Sequence, residues 1–488
     1  HCIETVLDAF EAVEDEQPTC FFAYTIKGYG LPLAGHKDNH AGLLNADQIQ
    51  KLKEDHRVPD GQEWSPFAGI ELPTDGIENF ISNVPFKMAG RPRRHQSPTI
   101  PIPEKIEIPT AEKLSTQEAF GRILNGIART TDTLADRIVT VSPDVTVSTN
   151  LSGWVNRRGL FHPKIQNDLF LEEDVGSLHR WPPSPTGQHI ELGIAENNLF
   201  LLLAAAGLSH SLFGQRLLPI GTIYDPFIER GLDALNYACY QDSRFILVAT
   251  PSGISLSHEG GAHQSIGTPL IGISKPGLSS FEPAYADELA AILRWSFVHL
   301  QDEDTDESNH DLLNDKRGGS VYLRLTTRRV PQLQRQIDSD IETKIIDGGY
   351  WLRPPAPGAR LSIAYVGAVG PEALSAHTAI INRFPGAGLL AVTSPDRLHR
   401  GWLAAQRQRQ TTPNGPESAI ERLLAPLETS SQIVTVVDGH PSILSWIGAV
   451  YGHPVRALGV ERYGESGSLT ELYEAYCLDT DSIVKACT

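Results

Sequence analysis

The sequence predicts an α/β protein built of successive α/β domains with mostly parallel sheets. Short apolar runs alternate with helical stretches in two parts of the chain, residues 111–335 and residues 345–488. Strands that alternate with helices are typical of parallel sheets covered on both faces, and such strands are apolar throughout. The runs that we predict to be strands lie at 138–142, 217–223, 245–250, 270–274, 320–326, 361–370, 388–394 and 433–439.

Helix-capping residues support this alternation. Ser115 is followed three residues later by Glu118, which predicts a capping box at the start of a helix over 116–129. Asn45 is the predicted N-cap of a second helix over 47–54. The chain therefore carries helix signals outside the two α/β parts as well as within them.

Three other segments have a distinct composition. Residues 19–30 (TCFFAYTIKGYG) predict a buried strand that runs into a glycine loop. Residues 68–110 contain many prolines and glycines, and we interpret them as a linker that lies along another surface. The charged stretch 301–317 predicts a solvated excursion at the surface.

Length and charge limit the classes of partner. A chain of 488 residues with 40% hydrophobic and 20% charged residues is typical of a globular protein of two or three domains. Its formal net charge of −18 repels phosphate and anionic lipid, so neither nucleic acid nor a membrane is an expected main partner. No stretch approaches the 18 apolar residues of a membrane-spanning helix.

Cysteine use and the first residues indicate the compartment and the extent of the chain. The five cysteines are scattered, and none has the spacing of a zinc site, which favours reduced thiols in a cytoplasmic protein. The pair His36 and His40 lacks a third ligand nearby, so no metal site is predicted within the chain. The chain opens inside a helical pattern without a methionine, and we expect it to begin within a longer gene product.

The stretch HIELGIAENNLFLLLAAAGLS (189–209) places Glu196 in apolar surroundings at the start of a helix. A carboxylate in such a setting can share a proton with a bound partner and is a candidate catalytic group. It can also be a first-turn carboxylate that the helix dipole favours. The pattern alone leaves both interpretations open.

Two glycine-rich loops carry histidines. In SHEGGAHQS (257–265) a pair of glycines lets the backbone approach a ligand, and His263 lies beside them. The loop over 27–42 carries Lys27, His36 and His40, which suit an anionic ligand. Either loop can also simply face water.

Tyr224 and Phe227 follow the apolar run 217–223, at the predicted end of a strand. An aromatic side chain in that position can stack on a flat heterocycle, or it can belong to an ordinary junction between a strand and a helix. The sequence contains no P-loop, no GxGxxG after a strand, no GxSxG and no HExxH. None of the segments described above is a widely shared motif, so the site must be inferred from all of them taken together.

In this order the segments resemble the transketolase superfamily of thiamine-diphosphate enzymes and, more specifically, the homodimeric first (E1) component of the pyruvate dehydrogenase complex. The resemblance rests on TIKGYG (25–30), ELGIAEN (191–197), GGAHQS (260–265) and the closing GVERYGESGSLTELYEAYCLD (459–479). It covers nearly the whole chain.

The resemblance implies a thiamine-diphosphate-binding fold in a homodimer whose active sites lie between subunits. Residues 1–67 are expected to be the end of the diphosphate-binding domain, and 68–110 the linker. Residues 111–335 are expected to form the pyrimidine-binding α/β domain, and 345–488 a C-terminal transketolase-like α/β domain.

The resemblance also implies roles for individual residues. Glu196 matches the carboxylate that activates thiamine diphosphate, and either Tyr224 or Phe227 is expected to stack on the pyrimidine ring. His263 and His40 match catalytic histidines that also contact substrate. The remaining substrate-binding residues expected in the histidine-bearing loop are Lys27 and His36.

The implied function is decarboxylation of a 2-oxoacid, pyruvate above all, with transfer of the acyl group to a lipoyl-bearing acyltransferase component. The sequence lacks the GDG element through which the family binds magnesium and diphosphate, so those ligands are expected upstream of this chain. Two alternatives remain open. The loop GHKDNHAGLLNADQIQKLK (35–53) is also similar to that of transketolase, which moves two-carbon units between sugar phosphates, and a non-catalytic subunit can keep this fold.

Overall fold

The structure is a computed structural model that divides into two compact units, residues 1–93 and residues 94–488. Each unit is described by itself. The described residues are 2–14, 19–84, 95–130, 132–165, 179, 181, 183–303, 312–313, 315–412 and 415–488.

In its described residues the N-terminal unit contains three α-helices, α1 (Ile3–Glu11), α2 (Ala46–Asp55) and α3 (Thr74–Asn83). Asn45 caps α2 as predicted, because its side chain accepts a hydrogen bond from the Gln48 amide at 2.8 Å and the Gln48 side chain accepts one from Asn45. α3 lies inside the segment interpreted as a linker.

The strand predicted over 19–30 is wrong. The described residues of this segment form turns and unpaired extended backbone, with Phe22 84% and Tyr24 fully exposed. A strand needs a neighbour for its backbone N–H and C=O groups, and the described part of this unit offers none. Apolar residues alone therefore did not produce a strand here.

The second unit is organised around an eight-stranded parallel sheet with strand order β4-β3-β5-β2-β6-β7-β9-β8. A two-stranded ribbon, β1 with β10, lies outside it. The strands of these two sheets are β1 (Lys113–Leu114), β2 (Ile138–Ser142), β3 (Leu160–Phe161), β4 (Pro183–Ser184), β5 (His189–Glu191), β6 (Leu218–Ile223), β7 (Ile246–Ala249), β8 (Leu278–Phe281), β9 (Ser320–Arg324) and β10 (Val330–Pro331).

A smaller five-stranded sheet follows, with order β11-β13-β12-β14-β15. Only the pairing of β11 with β13 is antiparallel. Its strands are β11 (Gly349–Arg353), β12 (Ala359–Val366), β13 (Gly388–Val392), β14 (Leu427–Val437) and β15 (Val455–Leu458). Seven of the eight runs predicted as strands contain one, which confirms the predicted α/β class.

The eighth run, 270–274, is helical, and that prediction is wrong. Pro269 opens a short helix, where its missing N–H leaves no backbone bond unmade. Gly272 fits tightly against Ser280, since a Cβ on Gly272 would lie 1.9 Å from the Ser280 hydroxyl. The strand forms instead at β8, a few residues later.

Helices cover both faces of the large sheet. Along β7, Ile246 and Val248 belong to one apolar cluster and Leu247 and Ala249 to another, because successive strand residues point to opposite faces. The helices of this unit are α4 (Thr116–Ile127), α5 (Thr133–Arg137), α6 (Ser152–Arg158), α7 (Glu196–Gly207), α8 (Ser209–Phe213), α9 (Leu232–Tyr240), α10 (Pro269–Ser274), α11 (Ala286–His299), α12 (Ser339–Asp347), α13 (Gly370–Ile380), α14 (Pro395–Thr411), α15 (Ala419–Leu424), α16 (Ser442–Ser445), α17 (Leu469–Ala475) and α18 (Thr480–Ala486).

Ser115 begins α4 with the predicted capping box: its hydroxyl accepts from the Glu118 amide at 3.0 Å, and the Glu118 carboxylate accepts from the Ser115 amide at 3.3 Å. The charged stretch 301–317 lies partly outside the described residues. At Asp315 it is anchored rather than solvated, because the carboxylate accepts two hydrogen bonds from the buried Arg397, at 2.7 and 2.6 Å. Along the described part of the chain, no helix is both long enough and apolar enough to span a membrane.

Candidate active site

Glu196 is the first residue of α7, directly beyond the turn that follows β5. Its side chain is 11% exposed, and its Oε1 accepts a hydrogen bond from the guanidinium of Arg230. The positive end of the helix dipole and the paired guanidinium both favour a carboxylate at this position. Glu196 therefore lies in the first turn of a helix, as one of the two interpretations of the sequence pattern has it, and its role as a catalytic group stays a prediction.

Tyr224 and Phe227 lie where β6 ends and a 3-10 turn begins. Their ring centroids are 5.9 Å apart. The ring of His263 completes a three-ring cluster, 6.0 Å from Tyr224 and 5.6 Å from Phe227. The aromatic turn and the GGAHQS loop, about 35 residues apart in sequence, thus meet at the carboxyl edge of the large sheet, where open α/β sheets place their ligands.

Arg230 joins Glu196 to this cluster. Its guanidinium carbon lies 3.8 Å from the centroid of the Phe227 ring while its nitrogen donates to Glu196. Arg230 was not among the residues predicted from the sequence. The signal was its position three residues after Phe227 on a turn, which brings both side chains to one side.

A cavity of about 830 Å³ opens beside these residues. Its walls include Phe227, Arg230 and Ala262, which lie on loops at the edge of the large sheet. Arg462 and Tyr463 of the closing signature line it as well. The closing signature, which served above only as a mark of resemblance, therefore forms part of the wall. The cavity is large enough for a heterocycle with a small substrate.

Below the aromatic turn, Asp225 is a fully buried carboxylate, also missed by sequence analysis. It accepts hydrogen bonds from the Tyr322 hydroxyl at 2.5 Å, from the Thr268 hydroxyl at 2.6 Å and from the Arg324 Nε at 2.8 Å. The Ser265 hydroxyl of the GGAHQS loop donates to it as well. Asp225 thus ties the aromatic turn to the histidine loop.

Arg324 extends this network to Glu282, whose carboxylate accepts from the guanidinium at 2.7 Å. Burial raises the pKa of Glu282 to about 7, although the neighbouring Arg324 opposes that rise. The floor of the site therefore contains two carboxylates around one buried guanidinium. Such an arrangement fixes geometry at a cost in desolvation.

The smaller sheet braces the histidine loop. At the carboxyl end of β14, the buried Asp438 accepts hydrogen bonds from the amides of Ile254 at 2.8 Å and Ser255 at 2.9 Å. Gly253 has a φ of +67°, and a Cβ there would lie 2.4 Å from the Asp438 carboxyl carbon. The segment leading to His263 can therefore take this path only with glycine at 253.

Lys27, His36 and His40 belong to the N-terminal unit. Lys27 Nζ lies 2.6 Å from His40 Nδ1, within hydrogen-bond distance. His36 is turned to its neighbour Asp38, accepting from the Asp38 amide at 3.2 Å. Of the three predicted residues on this loop, Lys27 and His40 are thus brought together, while His36 contacts its neighbour Asp38. Among the described residues, no group of three or more His, Cys, Asp or Glu side chains has the arrangement of a metal site.

The chain has recognisable relatives. Residues 108–308 match the family described as "Pyruvate dehydrogenase E1 component middle domain". The chain is 25% identical to the pyruvate dehydrogenase E1 component of Mycolicibacterium smegmatis, covering 100% of this chain and 53% of that protein. It is 24% identical to that of Pseudomonas aeruginosa, covering 96% and 53%. The chain thus spans about half the length of the curated relatives it matches, and the resemblance to this component is confirmed.

Solved structures establish the fold. A transketolase from Campylobacter jejuni superposes with a TM-score of 0.68 at 17% identity, covering 99% of this chain and 65% of that one. A protein described as "Split gene transketolase, inactive beta4 tetramer" superposes with a TM-score of 0.50 at 20% identity, covering 77% of this chain and 97% of that one. The α/β fold is therefore that of the transketolases, as the sequence predicted.

Proposed function

We propose that this chain, similar along its length to pyruvate dehydrogenase E1 components, carries the pyrimidine-binding half of a thiamine-diphosphate site. The reaction we propose is decarboxylation of a 2-oxoacid, pyruvate in the first instance, followed by transfer of the acyl group to a lipoyl-bearing partner. The observation that carries the proposal is the surroundings of the Phe227 ring, which lines the cavity. That ring lies beside the rings of Tyr224 and His263 and beside Arg230, the ion-pair partner of Glu196.

The donor set fits the pyrimidine end of this cofactor. An aminopyrimidine needs a carboxyl group at its ring nitrogen and a flat apolar surface against its face. Glu196 supplies a nearly buried carboxyl group, and Phe227 and Tyr224 supply the aromatic surface. For the diphosphate and magnesium end we propose ligands outside this chain, because its sequence has no GDG element.

When bound, thiamine diphosphate supplies a nucleophilic carbon and accepts the electrons released as carbon dioxide leaves. The residues of this chain have narrower tasks in the proposal. Glu196 holds a proton at the pyrimidine ring nitrogen, and Tyr224 and Phe227 fix the plane of that ring. His263 moves a proton at the substrate oxygen.

The N-terminal loop has a separate task in the proposal. Lys27, His36 and His40 bind the substrate carboxylate, and His40 also passes protons during acyl transfer. We further propose a cytoplasmic homodimer with magnesium. A dimer suits a family in which two subunits share each site.

The test is Glu196→Gln in the full-length protein, assayed by pyruvate-dependent reduction of ferricyanide. Removing the proton-holding group is expected to lower kcat by about 10²–10⁴-fold, the usual contribution of a general acid–base group. Asp233→Asn is the matched control, because Asp233 is an exposed acid in the first turn of the neighbouring helix α9. Near-normal turnover of Glu196→Gln would contradict the assignment.

Transketolase activity is the second candidate, favoured by the loop over 35–53 and compatible with the fold. Transfer of two-carbon units between ketose and aldose phosphates, measured beside the pyruvate assay, separates the two reactions. A non-catalytic subunit is the third candidate, suggested by the inactive tetramer among the structural relatives. Calorimetry with thiamine diphosphate and magnesium tests it, since a scaffold need not bind the cofactor.

A further inference from the structure

Arg230 makes two contacts, and both use groups that the proposed pyrimidine ring needs. Its guanidinium donates to Glu196 Oε1 and stacks 3.8 Å from the centroid of Phe227. One residue therefore covers the acidic and the aromatic part of the half-site at once.

These contacts are mutually exclusive with ring binding on the same surface. A guanidinium at 3.8 Å leaves no room for a second planar group over that face of Phe227, since stacked groups need about this separation. The rings of Tyr224 and His263 lie beside Phe227 at 5.9 and 5.6 Å, which limits access from other directions. A pyrimidine ring can stack on the face of Phe227 that Arg230 covers only after the guanidinium leaves.

Arg230 is the more exposed member of the ion pair. Its side chain is 52% exposed, whereas that of Glu196 is 11% exposed, so moving the arginine disturbs fewer buried contacts than moving the glutamate. It also lines the 830 Å³ cavity, which offers space for a displaced side chain. Glu196, by contrast, is the first residue of α7, and Tyr224 and Phe227 lie on the turn directly after β6.

We propose that Arg230 determines cofactor affinity by closing the pyrimidine half-site in the cofactor-free protein. The inference rests on the proposed function. The closed arrangement pairs Arg230 with Glu196 and Phe227, and the pyrimidine ring competes with it for both. The observed association constant is then the intrinsic association constant multiplied by the fraction of molecules in which the site is open.

The test compares thiamine diphosphate affinity, with magnesium, in the full-length protein and two variants, by calorimetry and by stopped-flow quenching of protein fluorescence. Arg230→Gln removes the charge and the stacking cation, and Arg230→Lys keeps the ion pair without the planar group. If the closed arrangement holds about nine-tenths of the molecules, Arg230→Gln binds about tenfold more tightly, mainly through faster association. The affinity of Arg230→Lys is expected to lie between those of Arg230→Gln and the unaltered protein.

Arg360→Gln is the matched control, because Arg360 also pairs with a glutamate, Glu428, but on an exposed part of β12 outside the cavity. Its affinity is expected to equal that of the unaltered protein. Equal or weaker binding by Arg230→Gln, when the unaltered protein binds, overturns the inference and leaves the proposed function standing. Absence of binding in every protein overturns both. Thermal unfolding of each variant verifies that it is folded. If Arg230→Gln does not fold, the affinity of Arg230→Lys decides the test.

Discussion

The two parts of the chain that carry predicted site residues are built in opposite ways. In the unit of residues 94–488, Tyr224 and His263 stand on a floor that includes the fully buried Asp225. In the N-terminal unit, none of the described residues is buried, and Lys27 and His40 are held by contacts within one exposed loop. Both parts carry recognisable sequence segments, but only the first is fixed by a core.

This difference distinguishes side chains that are held in fixed positions from a loop that can open. A side chain whose supports are buried keeps its position without a ligand, because moving it would expose unpaired polar groups. A loop held only by exposed hydrogen bonds opens at little cost in free energy. We expect substitutions on the floor of the first part to alter stability and binding together, and substitutions on the loop to alter binding alone.

The largest effect is expected from Asp225→Asn. The change removes the negative charge facing Arg324 and, among the ion pairs of the described residues, leaves this buried guanidinium paired with Glu282 alone. Breaking a buried ion pair costs about 3 kcal/mol or more, so the free energy of unfolding should fall by that order. Urea unfolding of the variant measures it.

Asp136→Asn is the control for Asp225→Asn. Asp136 also pairs with an arginine, Arg158, but its side chain is 62% exposed. Exposed pairs contribute about 0–1 kcal/mol, so this variant should unfold nearly as the unaltered protein does. Similar losses in the two variants would remove the contrast between a fixed floor and an exposed surface.

A smaller, pH-dependent effect is expected at Glu282. Its pKa of about 7 in the folded chain exceeds its ordinary value of 4.5 because burial disfavours the charge. The stability that this group contributes is therefore fully present below pH 4.5 and is lost as the pH rises through about 7. The free energy of unfolding of Glu282→Gln, relative to the unaltered protein, should increase between pH 5 and pH 8.

Glu118 is expected to show the opposite pH dependence of its contribution to stability, which makes it a comparison for Glu282. Burial alone would raise the pKa of its carboxyl group, but hydrogen bonds from Arg329 and Ser115 hold that pKa below its ordinary value. Its contribution to stability is lost as the pH falls through that lowered pKa, so Glu118→Gln should be relatively more harmful at neutral pH than in acid. Parallel pH profiles for the two glutamine variants would contradict the assignment of burial as the cause at Glu282.

The sequence predicted the local features of this fold and missed the long-range ones. The capping box at Ser115 and the N-cap at Asn45 were predicted correctly because both depend on residues three apart. The Asp225–Arg324 pair joins residues 99 apart, so no local pattern signals it. Arg230 was missed for a related reason: its role depends on Glu196, 34 residues earlier in the chain.

Errors in secondary structure have the same origin. The apolar run 19–30 was predicted as a strand, but a strand forms only where another strand can pair with it. The run 270–274 has strand-like composition, yet Pro269 and the close approach of Gly272 to Ser280 favour a helix. In both cases the structure depends on which other segments of the chain lie next to the run, and composition does not report that.

The smallest effect on stability is expected from Lys27→Met in the exposed loop. Its ammonium contacts only groups of that loop among the contacts described, so the unfolding transition should be unchanged. If the proposed function holds, kcat/KM for pyruvate should nevertheless fall, because the loop loses the cation that meets the substrate carboxylate. Lys37→Met, on the same loop, is the control for a change of net charge. Equal losses of kcat/KM in both variants would mean that the loop acts through its overall charge, and a lowered unfolding midpoint for Lys27→Met would mean that the loop is part of a cooperative core after all.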